Sequence, residues 1–148
     1  MKMNRFATTA IALSLIFLVS CMVGALKQAE IDPWLATISG GESPEINIAG
    51  KWRDAKGNSW LGWGEGYLRQ DQGKINGAIG NYNIKGVVAG KYAYLVFLYG
   101  GDVYYTLRLE MIEDGLLVGN YFEANDKTQK NGYPTSFERM EITSSKTL

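Results

Sequence analysis

The 148-residue chain contains no histidine and one cysteine, Cys21. Without an imidazole, neither a Ser-His-Asp nor a Cys-His nucleophilic site can be assembled. A metal site built on histidine or thiolate is excluded too, apart from Cys21 itself. A lone cysteine also forbids an intrachain disulfide. Neither sign of charge predominates: Lys+Arg and Asp+Glu number 15 each. The first twenty residues hold Lys2 and Arg5 and no acid, so a chain starting at Cys21 carries 13 basic and 15 acidic residues. Neither balance gives a reason to expect nucleic acid or an anionic surface as a partner. No segment shows convincing helical periodicity, and no glycine-rich loop precedes a helix, which removes a dinucleotide site.

What the chain does have is strands. Tyr92–Tyr99, Val103–Ile112 and Leu116–Phe122 are rich in aliphatic, aromatic and β-branched residues, and only Gly100-Gly101-Asp102 and Glu113-Asp114-Gly115 separate them. Connections this short join antiparallel neighbours, so the three runs form a β-meander. The middle run alternates. Val103, Tyr105, Leu107, Leu109 and Met111 fall on one side, predicted to face the core; Tyr104, Thr106, Arg108 and Glu110 fall on the other, predicted to face solvent.

Extending the reading from Ile46 predicts eight strands: Ile46–Asp54, Trp60–Arg69, Ile75–Gly80, Ile84–Ala89, Tyr92–Tyr99, Val103–Ile112, Leu116–Glu123 and Ser136–Ile142. Nearly every connection is hairpin-sized. The fold class is therefore all-β, an eight-stranded antiparallel up-and-down barrel over residues 46–143 that removes its edges by closing. A two-sheet sandwich is the alternative, but usually needs longer crossovers.

Residues 1–20 read as a targeting segment. Lys2 and Arg5 make a positive start, Ala7 to Val19 is an uncharged apolar stretch shorter than a membrane span, and a small residue precedes Cys21. The ending Leu18-Val19-Ser20-Cys21 resembles the lipobox of bacterial lipoproteins at all four positions. That resemblance implies cleavage before Cys21, diacylation of its thiol and an amide-linked third chain, holding the protein on the cell envelope through lipid such as palmitate. Because Met22 rather than aspartate follows, it also implies the outer membrane if the envelope is Gram-negative. A chance cysteine after an ordinary signal, or a plain transmembrane anchor, is the competing account. Residues 21–45 read as a partly flexible tether, with one possible helical turn at Ile31-Asp32-Pro33-Trp34-Leu35 and a linker at Ser39–Pro44. Trp34 in this segment is expected on the barrel rim or at the membrane interface.

Gly50-x-Trp52 on the first strand and Arg139 on the last resemble the pattern of the calycins, the group of lipocalins, fatty-acid-binding proteins and avidins. The resemblance implies that Trp52 closes one barrel end with Arg139 packed across its ring. Gly77-x-x-Gly80 and Gly86-x-x-x-Gly90 are similar to the bends of avidin-like strands, whereas the polar ligand positions of avidins have no match.

Gly62, Gly64 and Gly66 alternate with Leu61, Trp63, Glu65 and Tyr67. Bare strand positions either let a barrel bend or admit a flat ligand. The aromatic candidates for binding such a ligand are Trp63, Tyr67, Tyr94 and Tyr105. Asn125–Gly132 carries some oxygen donors, but two lysines and the lack of Asp-x-Asp spacing argue against calcium. No motif fixes two carboxylates across a cleft. The expectation is a non-enzymatic envelope protein without cofactor or metal. It is expected to bind a small apolar or flat ligand in its barrel; the alternative is an interaction or structural module that binds a partner protein or envelope polymer through its outer surface. An open interior favours the first and a filled one the second.

Overall fold

Strand pairing follows sequence order all the way round. β1 (Gly50–Asp54), β2 (Glu65–Asp71), β3 (Lys74–Ile79), β4 (Tyr82–Ala89), β5 (Tyr92–Tyr99), β6 (Asp102–Glu113), β7 (Leu116–Glu123) and β8 (Tyr133–Arg139) form a closed barrel in which each strand pairs antiparallel with the next. Closure comes from β1 on β8, with Trp52 opposite Arg139, Arg53 opposite Glu138 and Asp54 opposite Phe137. The fold is thus the up-and-down meander rather than a sandwich, seen in a computed structural model that describes residues 26–141.

The predicted strand Trp60–Arg69 starts later than expected, at Glu65. Asp54 accepts the backbone N–H of Asn58 at 2.5 Å, and the Asn58 amide donates to the Thr135 hydroxyl at 3.1 Å. These bonds fold the connection into a short 3-10 helix, Asn58–Leu61, which ends on Gly62 at φ +82°. Gly62 therefore serves a turn. Gly66 serves a bend: a Cβ there would fall on the Ala78 carbonyl oxygen and lie 2.5 Å from the Ile79 Cα. Backbone meets backbone at Gly66, so that position has no room for a ligand.

The face assignment of β6 needs two corrections. The register slips so that Leu98 faces Val103 while Phe97 faces Tyr105, leaving Tyr104 as an extra residue. Such a bulge turns the strand. Val103 consequently packs outward with Val96 and Leu98, while Leu107 and Leu109 fill the interior. Thr106, predicted to be wet, is buried, and the Gln129 amide from the β7–β8 loop donates to its hydroxyl at 3.3 Å.

The segment read as a spacer contains a three-turn helix, α1 (Gln28–Ser39). Its start lies five residues before Pro33, and the Glu30 carboxylate accepts the Lys27 backbone N–H at 2.8 Å. Ile31, Trp34, Leu35 and Ile38 pack against Val87, Val96, Leu98 and Val103 on the outer face of the barrel wall. Their spacing is i, i+3, i+4, i+7, one helical face. The helix exists because β4, β5 and β6 carry apolar residues on both faces, and the outer set needs a cover.

Candidate functional site

The barrel has two chemically different ends. At one, Trp52 is fully buried and its indole N–H donates to the Ile48 carbonyl at 2.8 Å. The Arg139 guanidinium lies 4.5 Å from the Trp52 ring centroid and donates to the carbonyls of Ala49 and, at 2.9 Å, Asn47. Gly50 lies beneath it, where a Cβ would come within 2.8 Å of the guanidinium. The Gln70 amide secures the same lid: it accepts from the Ile48 N–H at 2.8 Å and donates to the Ile46 carbonyl at 2.9 Å. A guanidinium over an indole contributes on the order of 0.5–2 kcal/mol. A double-mutant cycle with Trp52→Phe and Arg139→Met is therefore expected to show coupling of about that size in denaturant titrations. Strict additivity would remove the interaction, as for sites more than about 7–10 Å apart.

The opposite end is lined by tyrosine. Tyr82 lies at ring-centroid distances of 6.2 Å from Tyr99, 5.9 Å from Tyr104 and 5.8 Å from Tyr105. Tyr121 continues the cluster at 5.6 Å from Tyr105 and stacks on Tyr133 at 5.2 Å. Burial pushes the hydroxyls of Tyr82, Tyr105 and Tyr121 above the ordinary value of 10.0. The folded state then holds protons that the unfolded chain releases, so this contribution is complete below about pH 10 and is lost as pH rises through the folded values. Phenolate absorbance is expected to appear at higher pH for these tyrosines in the folded protein than in denaturant. Coincident native and denatured titrations would contradict the burial.

Between the ends the interior is filled. Trp63 is buried, with Phe97 at 5.0 Å, Tyr121 at 5.0 Å, Tyr105 at 5.5 Å and Phe137 at 5.7 Å between ring centroids. Its indole N–H has no hydrogen-bond partner. Leu68, Ile79, Ile84, Leu95, Leu107 and Leu117, each almost without exposure, complete the packing. An eight-stranded barrel has just this capacity for its own side chains. A groove of about 810 Å³ lies outside the wall, between the C-terminal half of α1, the 40–44 turn and β3–β4. Its charges are mixed: Asp32 and Lys85 stand 3.7 Å apart, with Glu42 and Lys74 also on the lining.

The aromatic candidates do not converge on one site. Trp63 and Tyr105 meet inside the barrel. Tyr67 is half exposed on the outer face of β2, and Tyr94 packs on the outer, helix-covered side of β5. Alternation along the strands separates them, because Tyr67 and Leu68 necessarily point to opposite faces. Sequence reasoning missed Tyr82, Tyr99, Tyr104 and Tyr133 as a group, since they come from four strands whose ends only the closed register brings together. In the β7–β8 loop, Asp126 accepts the backbone N–H of Asn131 at 2.7 Å and of Lys130 at 3.1 Å, so its carboxylate shapes the loop. Those bonds, led by the one from Asn131, hold it below the usual carboxylate range. Among the described residues no three acidic side chains gather as metal ligands, and no helix is long and apolar enough to cross a membrane. Cys21 lies outside the described residues. Comparison with protein-family models, curated proteins and solved structures returned no match.

Proposed function

We propose that this protein is a lipid-anchored, non-enzymatic module of the bacterial cell envelope, acting through its outer surface on a partner protein or envelope polymer. The observation that carries the surface role is the filled interior, in which Trp63, Phe97 and Phe137 occupy the space where a barrel ligand would sit. A ligand inside would have to displace side chains whose removal costs several kcal/mol each. The expectation of a small apolar ligand in the barrel mouth therefore gives way to its alternative. The calycin-like arrangement of Trp52 and Arg139 serves in this reading to seal a solid barrel.

The anchor rests on Leu18-Val19-Ser20-Cys21. Cys21→Ser is expected to abolish labelled-palmitate incorporation and to release the protein from the membrane fraction, the outer membrane in a Gram-negative cell. A variant that stays membrane-bound with its label overturns the anchor. For the surface role, native mass spectrometry of protein from its own cells should find a retained protein or glycan. A retained small molecule lost on Trp63→Ala would restore the barrel-ligand reading.

A further inference from the structure

The described chain enters the fold at the tyrosine end. The Leu26 N–H donates to the Ala124 carbonyl at 2.7 Å, and the Ala124 N–H donates to the Tyr104 carbonyl at 3.0 Å. Leu26 is therefore two hydrogen bonds from the backbone of the aromatic cluster. Only four residues, Met22–Ala25, separate it from Cys21, the lipid site, a span of five Cα steps. At up to about 3.5 Å per residue these reach roughly 17 Å. An eight-residue strand is about 27 Å long, and roughly 20 Å tall when tilted as barrel strands are. A lipid on Cys21 thus holds the tyrosine end next to the bilayer and leaves the Trp52 end too far away to meet it.

The same end carries most of the large apolar side chains that face water. Trp60 is 75% exposed, Tyr99 55%, Tyr133 52% and Tyr104 43%. Indole and phenol rings have an apolar body and a polar tip, which suits the headgroup boundary of a bilayer. At the opposite end Glu113, Asp114 and Glu141 outnumber Arg139 around a shallow depression, with Glu138 paired to Arg53, a surface poorly suited to anionic lipid. Nor is the tyrosine end a basic patch: exposed Lys56 and Lys130 on its loops are matched by exposed Asp102 and Glu123, and Lys127 is paired with Glu30 at 2.9 Å.

We infer that the tyrosine end of the barrel docks on the membrane, with Trp60, Tyr99, Tyr104 and Tyr133 at the lipid–water interface. The inference rests on the lipid anchor proposed above. It assigns the helix groove and the Trp52 end to the side that faces away from the lipid, where a partner would approach. Because the contact is aromatic rather than basic, it takes zwitterionic lipid and is insensitive to salt.

Intact protein, its lipid checked by mass, is reconstituted in phosphatidylcholine vesicles containing phosphatidylcholine brominated near the headgroup, and tryptophan emission is compared with plain vesicles. Bromine is expected to quench the wild type. The quenched fraction should fall several-fold in Trp60→Phe, stay in Trp34→Phe, and be unchanged by added salt. Trp60 makes no core contact, so its replacement leaves folding intact. Vesicle-bound, lipid-bearing protein with equal emission in both vesicles overturns the docking while the anchor stands. Quenching that disappears in Trp34→Phe instead puts the helix side on the bilayer and overturns it as well. Protein with no added lipid mass and no vesicle association overturns the anchor, and the docked orientation with it.

Discussion

Leu107→Ala is expected to lower the free energy of unfolding by about 2–5 kcal/mol, the cost of a large-to-small change in a packed core. Leu107 has no exposed surface and stands opposite Leu95 on β5 and Tyr121 on β7. Its neighbours belong to a wall closed by hydrogen bonds on every side, so they collapse poorly into the space left behind. That places the change toward the upper part of the range. Ile112→Ala, on the same strand, is the control. Ile112 is 60% exposed, and its replacement should cost under about 0.5 kcal/mol. Denaturant titrations that rank the two variants the other way would reverse the inner and outer faces of β6.

Gly66→Ala is expected to destabilise by about 1–3 kcal/mol or more, as overpacking against backbone does. An ordinary strand glycine gains roughly 0.5–1 kcal/mol on becoming alanine, so the sign depends on space. The added Cβ would fall on the Ala78 carbonyl oxygen, and only movement of β3 against β2 makes room. At Gly64, two residues earlier, no atom lies within 4 Å of the same Cβ. Gly64→Ala should therefore leave stability within about 0.5 kcal/mol. Equal stability of the two variants would mean that the barrel does not need the close strand approach at Gly66.

The predicted turns and strand count match the observed meander because hairpin connections allow few pairings. β5 shows why sequence alone read its faces less well. Tyr92-Ala93-Tyr94-Leu95-Val96-Phe97-Leu98 is apolar at nearly every position, so alternation cannot say which set faces inward. The interior takes Ala93, Leu95 and Phe97, and α1 covers Val96 and Leu98. Ile31, Trp34, Leu35 and Ile38 lie at helical spacing, but four apolar residues in a short polar stretch do not make a convincing period without the apolar barrel wall they cover. Asp32-Pro33 drew attention to a start in mid-helix, and the Gly-Ser-rich stretch after it suggested a spacer. Similarly, Gly62, Gly64 and Gly66 look periodic but do three different things, because the bonds from Asp54 and Thr135 end the strand pattern before Glu65.

By itself the sequence determined the strand class, the order of pairing, the exclusion of histidine and disulfide chemistry, and the lipobox pattern that motivates an anchor. Each of these depends on residue identity or on neighbours a few positions apart. Only the tertiary structure decided that the barrel is solid, that a bulge at Tyr104 sends Val103 outward, and that tyrosines from four strands share one end with Leu26. These depend on register around a closed wall and on the volumes of side chains meeting inside it, sums over residues far apart in the chain that no local pattern carries.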